Sequence, residues 1–188
     1  MISLVELRRF FDRAVQASFH DLAMRDDPAA GYLADLLTRF ARTENLFPTG
    51  VSMPRLESVV DLLLEAQAAW EDAAAHFGPE REISIRRHIG DYTLFMSGLF
   101  RTHVEQDGVL DYYFSEGRRS YLKVSELDVA LYHTGFLLFQ ELSKNFEYYS
   151  GALDYMRKAY FAPLPGEDPF GQFLRNVEGW MKTNLSDN

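Results

Sequence analysis

Apolar residues recur every three or four positions along most of this chain, which is the spacing of one face of an α-helix. The longest such run starts at Leu131 and continues through Leu138 and Leu142 to Tyr160. No window of four or more residues alternates between apolar and polar with enrichment in β-branched residues. The sequence therefore predicts an all-α fold: a single domain over residues 1–188, formed by a bundle of six or seven helices without a β-sheet.

Start and stop signals divide the chain into seven predicted helices. Ser3 with Glu6 has the pattern of a capping box, and Asp27 followed by Pro28 marks a second start. A bend is expected near Ser150, because the glycine that follows it weakens the helical hydrogen bonds. The first predicted helix begins at Ser3, and the others cover residues 27–42, 52–77, 80–103, 111–124, 128–161 and 170–181.

The composition excludes several classes of protein. Hydrophobic residues make up 47% of the 188 residues, which is enough for a substantial core. The net charge of -9 repels phosphate groups, so we expect neither a nucleic acid nor an anionic membrane as partner. The absence of cysteine excludes disulfides, thiolate metal sites and a cysteine nucleophile.

We expect a cytoplasmic protein. The first residues lack the apolar core and the cleavage site of a signal peptide. The best candidate for a membrane span, Thr93 to Phe100, is too short to cross a bilayer. Small secreted domains often depend on disulfides, which this chain cannot form.

Polar and close-packing residues concentrate in one central segment, from Arg86 to Leu122. Tyrosine and arginine are enriched where proteins bind other proteins, so we interpret this segment as the candidate binding site. Its candidate residues are Arg86, His88, Asp91, Tyr92, Tyr113, Arg118, Arg119 and Tyr121.

Small residues within this segment allow two interpretations. Gly90, Thr93 and Ser97 form a strip on one predicted helix, and Gly117 separates two tyrosines on the next. Small side chains let a second helix approach closely, but they could equally leave room for a flat ligand. Glycine inside a helix costs roughly 1 kcal/mol relative to alanine, so a packing or a binding reason is expected.

Charge is distributed unevenly along the chain. The stretch from Arg81 to Lys123 holds seven basic and six acidic residues, a net charge of +1, and the rest of the chain carries -10. Arg118 and Arg119 could therefore steer an anionic ligand or an acidic partner surface. The alternative is an ordinary surface salt bridge, because Glu116 and Arg119 are three positions apart.

His88 and Asp91 are the only candidates for catalysis that the sequence offers. They are three positions apart on one predicted helix, so their side chains can meet. A carboxylate that orients a histidine is the arrangement of a general base. No serine stands in a GxSxG motif, and a hydrogen bond on the helix surface is the commoner explanation of such a pair.

The sequence predicts neither a metal nor a cofactor. No histidine follows a glutamate by three positions, as a di-iron bundle requires, and HExxH and the glycine-rich phosphate-binding motifs are absent. His20 and His133 are the candidates for a haem ligand. His133, however, shares the polar side of its predicted helix with Gln140 and Lys144, so it is expected to face solvent.

Three functions remain open from the sequence. The favoured one is a non-enzymatic interaction or regulatory module that binds a second copy of itself or another protein. Its expected contact surface is the segment from Arg86 to Leu122, with Arg118, Arg119 and the tyrosines as anchors. The second is a pocket between the fourth, fifth and sixth predicted helices for a small anionic or apolar ligand, lined by Tyr92, Tyr113, Tyr121 and an arginine. The third is an enzyme that uses His88 with Asp91.

Overall fold

The computed structural model describes residues 4–40 and 78–160. Within these ranges the chain forms seven α-helices and no β-strand, which confirms the all-α prediction. The helices are α1 (Leu4–Asp21), α2 (Asp27–Phe40), α3 (Pro79–Leu99), α4 (Arg101–Gln106), α5 (Leu110–Ala130), α6 (Phe136–Lys144) and α7 (Phe146–Tyr160). The predicted helices at 52–77 and 170–181, and the predicted cap at Ser3, lie outside the described residues.

The described residues fall into two compact units. One contains α1, α2 and residues 152–160, and the other contains residues 78–151. The single domain over residues 1–188 stays a prediction.

In the first unit, α1 and α2 pack through apolar faces with helical spacing. Phe11 and Val15 on α1, and Leu33, Leu36 and Leu37 on α2, are buried. These positions recur every three or four residues, so each helix removes one continuous stripe from water.

Two polar interactions support the same pair of helices. The Arg8 guanidinium donates to the Gly31 carbonyl at 3.2 Å and lies 3.3 Å from the Asp35 carboxylate. Asp26 rather than Asp27 caps α2, because its Oδ1 accepts from the Ala29 amide at 3.0 Å.

In the second unit, α3 is buried over three consecutive turns. All eleven residues from Ile89 to Leu99 are buried, including Asp91 and Ser97. A helix that is apolar or small on every side has no solvent face, so it belongs at the centre of its unit. The packing partner of α3 among the described helices is chiefly α5.

The break after α3 differs from the prediction of one helix over 80–103. The Nε group of Arg101 donates to the Ser97 carbonyl at 3.2 Å, which is the carbonyl that the Arg101 amide would use in a continued helix. Its Nη2 donates to Ser150 at 3.1 Å, and Ser150 in turn donates to Ser97 at 3.0 Å. The Arg101 side chain therefore replaces helical hydrogen bonding with contacts to α7.

The prediction of one long helix over 128–161 is wrong. The chain leaves the helix at 131–135 and again at Asn145, so the region contains the end of α5, then α6 and α7. The turn is held by contacts that sequence spacing does not reveal, such as Ser125 donating to the Phe136 carbonyl at 3.0 Å. Ser150 and Gly151, the expected bend, lie inside α7.

Within residues 4–40 and 78–160, three helices end with a residue in the left-handed conformation, as in a Schellman motif. The residue after it donates its amide to the carbonyl five positions earlier, which satisfies a carbonyl at the helix end. The left-handed residues are Ala23 after α1 (φ 53°), Gly108 after α4 (φ 70°) and Tyr132 after α5 (φ 58°). The hydrogen bonds join Met24 to Phe19 at 2.8 Å, Val109 to Val104 at 3.2 Å, and His133 to Asp128 at 2.8 Å.

Candidate functional site

The glycines of the central segment allow a close antiparallel contact between α3 and α5. A Cβ atom at Gly90 would lie 2.6 Å from the Tyr121 ring, and one at Gly117 would lie 2.6 Å from the Thr93 hydroxyl. Since Gly90 meets Tyr121 and Thr93 meets Gly117, the two helices run in opposite directions. The prediction of a tight helix crossing is confirmed.

The alternative, that these small residues leave room for a flat ligand, is wrong at both glycines. The Tyr121 ring occupies the space beside Gly90, and the Phe146 ring lies 2.2 Å from a Cβ built at Gly117. Tyr121 also packs against Phe139, with ring centroids 5.8 Å apart. The chain's own aromatic side chains fill the room that glycine provides.

Tyr121 is part of a buried polar network and is not a surface anchor. Its side chain is 0% exposed, and its hydroxyl donates to Asp91 Oδ1 at 2.8 Å. Asp91 is equally buried, and its Oδ2 lies 3.9 Å from Arg87 Nε. The guanidinium of Arg87 also lies over the Phe139 ring, 5.6 Å from its centroid. The expectation that Tyr121 anchors a partner is therefore wrong, because burial removes it from any surface.

Tyr92 and Tyr113 form a second aromatic pair between α3 and α5. Their ring centroids are 6.3 Å apart, and the Tyr92 hydroxyl hydrogen-bonds to Tyr113. Burial raises the pKa of Tyr92 well above its ordinary value, and it raises the pKa of Tyr113 as well. Tyr92 thus belongs to the core, and Tyr113 lies partly buried at its edge.

Two further candidate residues lie on the N-terminal half of α3. Arg86 Nε lies 3.8 Å from the carboxylate of Glu82, which is itself buried. His88 is partly buried. The catalytic pairing of His88 with Asp91 stays a prediction. Asp91 itself accepts a hydrogen bond from the Tyr121 hydroxyl.

Arg118 and Arg119 are exposed on α5, as a binding surface requires. Arg118 forms an ion pair with Glu147 of α7, and Arg119 Nη1 lies 3.3 Å from Glu116 Oε1. The eight candidate residues therefore fall into three groups that differ in burial. Asp91, Tyr92 and Tyr121 are core, Arg118 and Arg119 are surface, and Arg86, His88 and Tyr113 lie partly buried between them.

A continuous exposed stripe runs along α5 on a side that faces away from Tyr121. Its six positions are separated by three and four residues in alternation, which aligns them along one face of a helix. Leu122 and Val129 are 45% and 55% exposed, and the Arg119 side chain is 68% exposed. The stripe, called the outer face of α5 from here on, consists of Tyr112, Ser115, Arg119, Leu122, Glu126 and Val129.

Tyr132 lies two residues beyond the end of α5, and the sequence interpretation missed it as an exposed residue. Its side chain is 95% exposed, and its left-handed backbone costs roughly 1 kcal/mol or more for a residue with a Cβ atom. Glycine usually occupies this position of a Schellman motif. The exposed ring gains almost no packing in return for this strain. No local sequence signal separates Tyr132 from a helical tyrosine.

His133 differs from its predicted place on the polar side of a helix. It lies in the turn between α5 and α6, with Nδ1 3.0 Å from Asp128 Oδ1 and Nε2 3.3 Å from Glu80 Oε1. Across residues 4–40 and 78–160, no three histidine, aspartate or glutamate side chains are grouped so as to hold a metal ion. None of the helices in these ranges is both long and apolar enough to cross a membrane.

Comparison with known proteins gives no further assignment: no protein-family model, curated protein or solved structure matches the chain.

Proposed function

We propose that this protein is a non-enzymatic interaction module that binds a protein partner through the outer face of α5. The single observation that carries the proposal is the exposed alignment of Tyr112, Arg119, Leu122 and Val129, extended by Tyr132 at the helix end. Tyrosine and arginine at the centre of a protein interface contribute more binding energy than most other residues. The absence of cysteine fits a cytoplasmic module.

The proposed surface differs from the one expected from the sequence, because Tyr121 is buried and Leu122 is exposed. Arg119 remains an anchor, and Leu122 and Tyr132 replace the buried Tyr121. Arginine offers five N–H donors, so its contact with Glu116 leaves others for a partner. An apolar centre with charged residues on either side is also the usual composition of a transient interface.

Site-specific photo-cross-linking in cells tests this proposal. A benzoylphenylalanine residue is placed at position 115 or 122, in chains with and without Arg119→Glu. The matched control carries the same residue at position 140, where the exposed Gln140 lies on α6. We expect protein cross-links from positions 115 and 122 that fall at least about fivefold with Arg119→Glu, because a central charge fixes the docked arrangement.

Equal cross-linking from all three positions would contradict the proposal, as would yields that Arg119→Glu leaves unchanged. Circular dichroism of each variant shows whether the helices are retained. The Arg119 side chain is exposed, while its ion-pair partner Glu116 on the same helix is buried. Only Arg119→Glu chains that keep the helix content and the thermal unfolding midpoint of the natural chain are therefore compared with it.

A further inference from the structure

We infer that the partner of the outer face of α5 is the same face of a second copy of this chain. The two helices pair in antiparallel fashion about a two-fold axis at Leu122. This inference rests on the proposed function and names its partner.

The residues of the outer face, together with Tyr132, lie at equal or nearly equal distances along the chain on either side of Leu122. Ser115 and Val129 lie seven positions before and after it, and Tyr112 and Tyr132 lie ten positions before and after it. Arg119 lies three positions before Leu122, and Glu126 lies four positions after it. All of these residues are exposed.

A two-fold axis brings each residue of one copy to its symmetric counterpart on the other. In an antiparallel pair centred on Leu122, residues before the axis meet residues after it. Arg119 then faces Glu126 of the second copy, and the reciprocal pair forms on the other side of the axis. Leu122 meets itself, and Ser115 faces Val129. Opposite charges thus meet twice, and the small serine lies opposite a branched apolar residue.

Charge excludes the parallel arrangement of the same two faces. Parallel pairing about a two-fold axis along the helices would place Arg119 beside Arg119, and Glu126 beside Glu126. Like charges at such distances cost free energy, so the antiparallel order is selected. Within one copy, Glu126 lies 3.9 Å from Lys123, an exposed pair whose contribution to stability is small. That contact therefore offers little competition to a pairing across the interface.

The expected dimer is weak. At 1.5 Å per residue, the 21 residues of α5 are about 31 Å long, and a single helix face buries less than the roughly 800 Å² per partner of a standard interface. We therefore expect a concentration-dependent equilibrium between monomer and dimer, with dissociation constants on the order of micromolar.

Cysteine scanning tests the position of the axis directly, because the natural chain contains no cysteine. Leu122→Cys should form a disulfide-linked dimer under mild oxidation, since the residue meets its own copy at the axis. Ser115→Cys alone and Val129→Cys alone should each form little disulfide-linked dimer. A mixture of the two variants should form it efficiently, because Ser115 of one copy faces Val129 of the other. Gln140→Cys is the matched control on an exposed position of α6.

A charge exchange tests the pairing, with sedimentation velocity of the purified protein as the readout. Arg119→Glu alone and Glu126→Arg alone should each weaken dimerisation by about tenfold or more, because like charges then face each other. The double variant should recover the affinity of the natural chain to within about threefold, because the attraction is restored with reversed signs.

A natural chain that stays monomeric into the high micromolar range overturns this inference, and so does a double variant that fails to recover. Equal disulfide formation at positions 122 and 140 overturns it as well. The proposed function fails by a different result, namely uniform cross-linking in cells. If cross-links from position 122 reach only another protein while the purified chain is monomeric, the interaction module stands and the second copy is excluded.

Discussion

Among the described residues, two aspartates accept hydrogen bonds from tyrosine hydroxyls, one in the core and one at the surface. In the unit formed by residues 78–151, Tyr121 donates to Asp91 at 2.8 Å, and both side chains are completely buried. In the other unit, Tyr155 and Tyr160 both donate to Asp21 at the surface. A buried hydrogen bond fixes how α3 and α5 pack, because leaving either group without a partner costs free energy. The exposed cluster can exchange its partners for water, so burial decides what the pairing contributes.

Of the substitutions that compare the buried and the exposed sites, Tyr121→Ala should have the largest effect on the free energy of unfolding. The change removes a buried ring that packs against Phe139 and Phe146, so we expect a loss of about 3–5 kcal/mol in the free energy of unfolding. Urea denaturation measures it. Tyr121→Phe keeps the ring and should lose about 1–3 kcal/mol through the missing donor to Asp91. A loss below about 1 kcal/mol for Tyr121→Ala would mean that this contact does not organise the unit.

Gly117→Ala tests the close approach of the same two helices. A Cβ atom there would lie 2.2 Å from the buried Phe146 ring, so the ring must shift and we expect a loss of about 1–3 kcal/mol. Gly151→Ala is the matched control inside α7, where nothing lies within 4 Å of the added atom. Its expected effect has the opposite sign, a gain of up to about 1 kcal/mol from the lower entropy of the unfolded chain. Similar unfolding midpoints for the two variants would contradict the tight crossing.

Tyr132→Gly should stabilise the monomer and weaken its association. Glycine adopts the left-handed conformation without strain, and the exposed ring loses no packing, so the gain should be about 1 kcal/mol. Gly108→Ala provides the reverse test at the equivalent position after α4, with a loss of similar size. Thermal unfolding measures stability, and sedimentation velocity measures association. A destabilised Tyr132→Gly variant would show that the ring belongs to the fold.

The smallest effect is expected at the exposed cluster. The hydrogen bond from Tyr160, followed by that from Tyr155, lowers the pKa of Asp21. The stability that ionised Asp21 gives the fold is therefore present above about pH 4 and is lost as the pH falls further. The hydrogen bond to Asp21 raises the pKa of Tyr160 to about 12, and that contribution is lost as the pH rises from about 10 to about 12.

Tyr160→Phe should therefore reduce the dependence of stability on pH in both the acid and the alkaline range. At neutral pH it should change the thermal unfolding midpoint less than Tyr121→Phe does. Thermal unfolding from pH 2 to 5 and from pH 9 to 12 measures the difference between Tyr160→Phe and the natural chain. Identical pH profiles for the two proteins would contradict the contact with Asp21.

Three helix starts were predictable from local signals, while those of α4, α6 and α7 were not. The expected starts at 27, 80 and 111 lie within one residue of those of α2, α3 and α5, because proline, aspartate and glycine act locally. Helix ends were less predictable, since they depend on distant groups. Arg101 ends α3 through contacts that include Ser150, and the turn after α5 uses Ser125 and the Phe136 carbonyl.

The candidate site was predictable only in part. Spacing along α5 placed Tyr121 and Arg119 in the same segment, but neighbouring positions on a helix point about 100° apart, and only the packing of α3 decides which side is buried. Tyr121 therefore became core and Leu122 became surface. Tyr132 could not be distinguished, because the turn that exposes it depends on the contacts of Ser125 and of His133, which reaches Glu80 on α3.

The burial of α3 on all sides also determines how fast its backbone amides exchange with deuterium. Its amides from Ile89 to Leu99 combine helical hydrogen bonding with side chains buried on every side, so fraying of a single turn gives solvent little access. Their exchange should proceed mainly through opening of the whole unit and report its global free energy of unfolding. The outer turns of α5 should exchange much sooner, and the slowest set of amides should lie along α3.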